Sequence, residues 1–285
     1  MQSLRKDLES KWEYLMAQEA MRSTPVLTMS RLLSWRARCL LRRAAIAHLR
    51  QWGVQMFLPA NWRGVEKLIF AFREYYEPEL NYLQQILLPG MTFVDAGACY
   101  GIYTLAASKM VGRQGRVIAF EPASRAFRVL QKNVAMNGLT NVLAYPLALT
   151  ETTGKARLYH HPKVGCDSLG RDSSFTETAE EVATESLDNV LQKIQVDRVD
   201  VVKMDVQGAE ELVLRGAKTI LSSKHPIVIF EIYPEGTVPL GLSPYGAWEF
   251  LDSLGYKFFV VDRSGVLRRE KSPPADRNVV AVYWN

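Results

Sequence analysis

Long apolar runs are missing from this 285-residue chain. Nothing approaches eighteen consecutive hydrophobic residues, so no membrane-spanning helix is expected. Cysteine is scarce: Cys39, Cys99 and Cys166 are odd in number and widely spaced, which suggests neither a disulfide framework nor a zinc cluster. No segment is low in complexity. Met1 to Glu19 alternates basic and acidic residues without the apolar centre of a secretory leader. A soluble, cytoplasmic protein is the expectation. Acids are absent from one stretch, Arg22 to Arg50, which carries seven arginines. Residues 1–90 hold 13 Lys/Arg against 8 Asp/Glu, while the remainder balances at 22 of each, so the net charge of +5 is concentrated early.

What is present begins with that basic stretch. Ser34 to Arg50 has few helix breakers and reads as a basic amphipathic helix. Such a helix suits an acidic partner, an anionic membrane surface or nucleic acid, or is a solvated face whose arginines reach carboxylates on the main domain. Few aromatic stacking positions of the kind found in nucleic-acid grooves accompany it. The 48% hydrophobic content is enough to fill one large core with an elaboration.

The most informative segment is Phe93-Val94-Asp95-Ala96-Gly97-Ala98-Cys99-Tyr100-Gly101. A short apolar run ends in an acid, two glycines follow four apart, and a helical pattern begins. That order describes a strand, a tight turn and a helix N-terminus, where α/β folds hold nucleotide-like ligands. The spacing differs from the G-x-G-x-x-G of dinucleotide binders. A pyrophosphate needs backbone N–H donors, whereas an acid before the first glycine suits a ligand bearing a cation, as S-adenosylmethionine does. The bland reading is an ordinary strand-to-helix turn. Arg116 to Pro122 then forms a second apolar run ending in Glu121, an acid placed to accept hydrogen bonds from ribose hydroxyls or to cap the next helix.

Downstream the pattern alternates. Strands are predicted at Thr92–Asp95, Val117–Phe120, Val142–Leu147, Asp200–Asp205, Pro226–Ile232, Tyr256–Val261 and Asn278–Trp284, with helices between the first members. Thr152-Thr153-Gly154-Lys155 reads as a hairpin turn. Lys163 to Thr184 is polar, without periodicity, and long enough to be a lid over a site. Gly208 to Leu221 reads as a helix. Alternating βα units imply a mainly parallel sheet covered on both faces, and two final strands without a helix imply an antiparallel hairpin at one edge.

The blocks VDAGACYGIYTLAA, AFEPASRAFRVLQKNVAMNG, SLDNVL, VDVVKMDVQGAEELVLRGA and IVIFEIYPEG resemble the FkbM-type family of S-adenosylmethionine-dependent methyltransferases. The resemblance covers roughly residues 75 to 261, with YYEPEL upstream also family-like. It implies a class I, Rossmann-like α/β fold with a seven-stranded sheet, in a methyltransferase domain of residues 75–285 behind a basic helical extension, 1–74. It implies O-methylation of a sugar, glycolipid or natural-product hydroxyl. Asp95, Gly97, Ala98, Gly101, Tyr103, Thr104, Glu121 and Pro122 match the cofactor-binding positions. Gln207 stands where a glutamate is common, and Cys99 where asparagine is.

Methyl transfer to an alcohol needs alignment and a base to take the proton. Asp205 is the first candidate, with capping of a helix starting near Gln207 as its structural alternative. Glu231 is the second acid, and the pair could instead hold a divalent cation. Lys203 shares the sheet face of Asp205 and orients or pairs it. His160 and His161 are further candidate bases or plain surface residues, and Ser168 and Asp172 are candidate substrate contacts. Glu210 and Glu211 are explained by the helix dipole. Cys99 reads as a small residue in the turn more readily than as a nucleophile. RNA methylation, a cofactor-binding protein without turnover, and nicotinamide-dependent oxidoreduction are the rival readings; the fourth strand lacks an N-P-P-Y signature and the glycine spacing disfavours NAD.

Overall fold

The computed structural model describes residues 13, 15–62, 64–163, 165–275 and 277–284. Most of the segment Met1–Glu19, whose lack of an apolar leader was noted above, lies outside them. Among the described residues no helix is long and apolar enough to cross a membrane.

The described elements include helices Glu19–Ser23 and Pro25–Leu40, then strands β1 (Ala45–Leu49) and β2 (Val54–Leu58) and helices Val65–Phe72 and Pro78–Ile86. The alternating part follows: β3 (Thr92–Ala96), helix Ile102–Val111, β4 (Arg116–Phe120), helix Ser124–Met136, β5 (Val142–Tyr145), β6 (Leu147–Leu149), β7 (Gly154–Tyr159) and β8 (Ala179–Glu185). Helix Leu187–Lys193, β9 (Val201–Met204), helices Glu210–Arg215 and Lys218–Lys224, and β10 (Ile227–Ile232) come next. The short helix Pro234–Thr237, helix Gly246–Ser253, β11 (Tyr256–Val261), β12 (Leu267–Glu270) and β13 (Arg277–Tyr283) complete the described elements.

The main sheet has the order β12-β11-β13-β10-β9-β3-β4-β5. Strands β5, β4, β3, β9 and β10 run parallel, and β13 is antiparallel to both β10 and β11. The order reverses between β3 and β9, and in such sheets the crevice beyond the strand ends at the reversal is where ligands sit. Successive strand residues face opposite sides. Phe93, Val117, Val201 and Ile229 enter one core, and Val94, Ile118, Val202 and Val228 enter the other, so helices cover both faces.

The seven expected strands are present, and several details differ. The last two expected strands, β11 and β13, do pair antiparallel toward one edge, with β13 lying between β10 and β11, and β12, drawn from the link read as turns, adds an eighth strand outside β11. The third predicted strand breaks after Tyr145, because Pro146 has no N–H for the ladder. Its second part, β6, joins β7 and β8 in a separate sheet of order β6-β8-β7. Thr152–Lys155 is therefore no hairpin between paired neighbours, since β8 lies between them, and the supposed lid ends in that strand from Ala179 on. The helix expected over 208–221 is two helices, the first starting at Glu210.

The largest correction concerns the N-terminal side. The stretch Ser34–Arg50 is helical only to Leu40; Ala45 to Leu49 alternates buried and exposed residues and pairs with β2 around Gly53, which adopts φ +62°. The period-two burial of Ala45, Ala47 and Leu49 outweighs the arginine-rich helical appearance. Their core is shared with Phe93 and Leu105 of the alternating part. The buried side chain of Asn133 ties the hairpin down. Its Oδ1 accepts the Phe57 N–H at 2.6 Å, and its Nδ2 donates to the carbonyls of Phe57 and Tyr100.

Candidate active site

A cavity of about 380 Å³ lies at the sheet reversal, within the size range of small-molecule sites. Its floor is the glycine turn after β3. Gly97 has φ +77°, and a Cβ there would sit 1.9 Å from the Asp205 carbonyl oxygen, so only glycine lets the tips of β3 and β9 approach this closely. Cys99 is also left-handed, φ +50°. The turn spends its donors internally. Gly97 and Ala98 N–H both donate to the Phe120 carbonyl at 2.9 Å, Cys99 N–H to Glu121 Oε2 at 2.7 Å, and Gly101 N–H to the Ala98 carbonyl at 2.7 Å. A pyrophosphate would need those N–H groups free. The turn instead presents acids, which fits a cationic ligand with ribose hydroxyls.

Asp95, Gly97, Ala98, Tyr103, Glu121 and Pro122 line the cavity; Gly101 and Thr104 stand behind its wall. Gly101 precedes the helix Ile102–Val111, and a Cβ on it would strike Leu130. Thr104 donates its hydroxyl to Asp95 Oδ2. Glu121 has both carboxylate oxygens on backbone amides, of Cys99 and of Ala123 at 2.8 Å. Burial, only partly offset by those amides, pushes Glu121 up to about 8. Burial also raises Asp95, with Lys203 opposing. The Cys99 thiol is pushed well up by burial and then by Glu121, the reverse of what a nucleophile needs.

Beside these acids lies a second polar cluster. Asp95 and Lys203 are in register across β3 and β9. Lys203 is 1% exposed, donates to Asp205 Oδ2 at 3.0 Å and stands 4.7 Å from the centre of the Tyr103 ring. Burial alone would lower its pKa, but Asp205, Glu77 and Asp95 outweigh burial and raise it. Gln207 adopts φ +55° and its Nε2 bridges Asp205 Oδ1 at 2.7 Å and Glu231 Oε2 at 3.0 Å. The position that lacks the common glutamate thus supplies a donor between two carboxylates. Burial, followed by Asp205 and Glu210, pushes Glu231 up to about 9.

Asp205 and Gln207 line the cavity; Glu231 does not. Nor does Asp205 cap a helix, because the helix starts only at Glu210 with Ala209 at its N-cap position. Glu210 does more than answer a helix dipole: it is buried and accepts the N–H groups of Val206 and Gly208, each at 3.0 Å, bracing the loop that carries Gln207. Among the described residues no group of three or more His, Cys, Asp or Glu side chains could hold a metal.

The remaining candidates divide. His160 and His161 line the cavity, with His160 Nδ1 3.2 Å from Asp167 Oδ2. Ser168 lines it too, donating to the Gln207 carbonyl at 2.8 Å. Asp172 instead accepts from Ser174 in its own turn, away from the wall. Sequence reasoning missed Glu77, which lines the cavity and accepts the Tyr103 hydroxyl. Burial raises its pKa, with Lys203 opposing. In sequence Glu77 reads only as the start of a helix at Pro78. The wall from Met56, Val65 and Ile69 was also missed.

A family model described as the methyltransferase FkbM domain matches residues 95–258, more than half of the chain. The chain belongs to the FkbM family of S-adenosylmethionine-dependent methyltransferases. Methyltransferase sdnD of Sordaria araneosa is 29% identical over 188 residues, 55% of this chain and 71% of that protein. Methyltransferase 1 of Beauveria bassiana is 30% identical over 142 residues, 43% of this chain and 57% of that protein. A solved FkbM methyltransferase structure from Methylobacillus flagellatus superposes at a TM-score of 0.44 with 14% identity, over 88% of this chain and 59% of that one, so the chain spans less than two thirds of its length.

Proposed function

We propose that this FkbM-family chain is an O-methyltransferase for a hydroxyl of a sugar, glycolipid or natural product, with Asp205 taking the hydroxyl proton. The observation that carries the reading is the position of Asp205: on the cavity wall, one oxygen held by Lys203 and the other by Gln207. Two fixed donors aim the carboxylate, and a base must be held in reach of the proton it accepts.

S-adenosylmethionine, when bound, supplies an electrophilic methyl group. Glu121 and Asp95 would hold its ribose and cationic portions, with Gly97, Ala98, Tyr103 and Pro122 closing around them and Gly101 and Thr104 supporting that wall. Lys203 keeps its charge and holds one Asp205 oxygen in place. Glu231 acts through Gln207, as a positioning residue. Residues 75–285 form the transferring unit in this reading, and the segment before them contributes the apolar wall of Met56, Val65 and Ile69 on which an acceptor can rest.

The test is methyl-labelled S-adenosylmethionine with a panel of sugars, glycolipids and polyketide alcohols, followed by mild alkali. An alkali-stable ether is expected, and Asp205→Asn should lower transfer by about 10²–10⁴-fold with donor affinity nearly intact. An alkali-labile ester, label on nitrogen, or an unimpaired Asp205→Asn overturns the proposal.

A further inference from the structure

Away from the methyl-transfer cavity, an open groove of about 580 Å³ lies between helix Pro25–Leu40, the β1–β2 hairpin and the turn Arg73–Tyr75. Arg31, His48, Arg50 and Arg73 line it, against one acid, Glu74. That acid is already engaged, since its Oε1 accepts the backbone N–H of Arg50 at 2.7 Å. Among the described residues, three guanidiniums against one carboxylate leave two positive charges unmatched.

Arg73 is the unusual member. It is 8% exposed, and its Nε and Nη1 are buried without a hydrogen-bond partner. Its guanidinium lies 4.6 Å from the centre of the Phe70 ring, and its backbone sits at φ +56°, a region an arginine occupies at a cost. Burial, reinforced by Arg31, pushes its pKa down to about 10, so it remains charged at neutral pH. Arg31 is half-buried beside it, with Nη1 3.3 Å from the Ala71 carbonyl. A buried cation with idle donors is costly unless something else engages it.

We propose that this groove binds a phosphate group, carried by a soluble phosphate ester or by a lipid headgroup. A phosphate monoester brings about −1.5 to −2 charges near neutral pH, matching the excess, whereas a single carboxylate leaves one charge unanswered. Guanidinium forks pair with phosphate oxygens two at a time. The volume accommodates the group and part of what bears it. No groove residue lines the methyl-transfer cavity, so the inference stands independently of the acceptor reading.

The experiment titrates inorganic phosphate and a simple phosphate monoester into the full chain by calorimetry at low salt. In parallel the chain is sedimented with phosphatidylcholine vesicles with and without phosphatidate. Arg73→Gln should weaken phosphate binding about tenfold or more, and Arg50→Gln about threefold, with added salt weakening all three proteins. Arg50 is exposed, so its variant and Arg31→Gln carry the test if Arg73→Gln fails to fold; retained S-adenosylmethionine binding verifies their fold. Monoester binding without vesicle binding assigns a soluble ligand. Phosphatidate-dependent sedimentation lost in the variants assigns a headgroup. If the wild-type chain binds neither phosphate nor phosphatidate vesicles, or the variants bind as well as it does, the proposal is wrong.

Discussion

Replacing Glu121 by glutamine should raise the stability of the ligand-free protein, relative to the wild type, as pH rises from 5 to 8. Burial lifts this carboxyl from 4.5 to about 8 in the folded chain. Between those values the folded chain holds a proton that the unfolded chain has released. Stability is therefore full below about pH 4.5, falls as pH rises, and levels off above about 8. The slope is about 1.4 kcal/mol per pH unit, so the loss between pH 5 and 8 is on the order of 4 kcal/mol. The Cys99 and Ala123 amides both donate, so glutamine can answer one with its carbonyl oxygen but not the other with its NH2, whereas protonated glutamic acid keeps a lone pair on its hydroxyl oxygen for it. That contact sets a constant offset between the two proteins at low pH, and the test is how the difference between them changes with pH. Urea unfolding followed by tryptophan fluorescence at pH 5, 6, 7 and 8 measures the difference. Other raised acids, such as Glu210 at about 7, remain in both proteins and largely cancel. Parallel stability–pH curves for the two proteins would refute the reasoning.

Two further perturbations probe the walls of the site. Lys203→Met removes the cation facing Asp95, Asp205 and Glu77, and should destabilise by about 3–5 kcal/mol at pH 8, with a smaller loss at pH 5, because burial raises Glu77 and Asp95 toward neutrality. Equal losses at both pH values in urea titrations would show that Lys203 matters only for its bulk. Asn133→Ala leaves the Phe57 N–H and the Tyr100 carbonyl without their partner and should cost about 2–4 kcal/mol, with faster hydrogen exchange at Phe57. A change within about 0.5 kcal/mol would mean that the hairpin is held by other contacts.

The strand-tip acids were legible because their signal is local. An apolar run, an acid and a glycine within nine residues determine both the strand and the turn, and register then brings Asp95 opposite Lys203 without further information. Sheet order is not local. Nothing near Asn278 announces that β13 enters between β10 and β11, and nothing near Leu267 announces an edge strand, because both depend on which partners offer free ladder positions. The β1–β2 hairpin was hidden for another reason: buried Ala45, Ala47 and Leu49 alternate with exposed Ile46 and His48 inside an arginine-rich run, and charge drew attention away from the period of two. Glu77 belongs to a third kind. Its neighbours in sequence explain it as a helix start, while its chemistry comes from Tyr103, more than twenty residues on.

Gln207 shows how a sequence difference can be seen and still be misjudged. Read along the chain, glutamine in place of the common glutamate is a charge removed from the site. In space its amide nitrogen lies 2.7 Å from Asp205 and 3.0 Å from Glu231. A carboxylate in the same place would set a third acid against two that already repel, with only Lys203 to answer them. The amide supplies a donor where a glutamate would bring another acceptor. It lets Glu231 sit close to Asp205 while Asp205 keeps one oxygen on Lys203 and faces the cavity. The loss of charge is then what allows two acids to share one end of the sheet, and the wild-type cluster should be less sensitive to alkaline pH than one restored to glutamate.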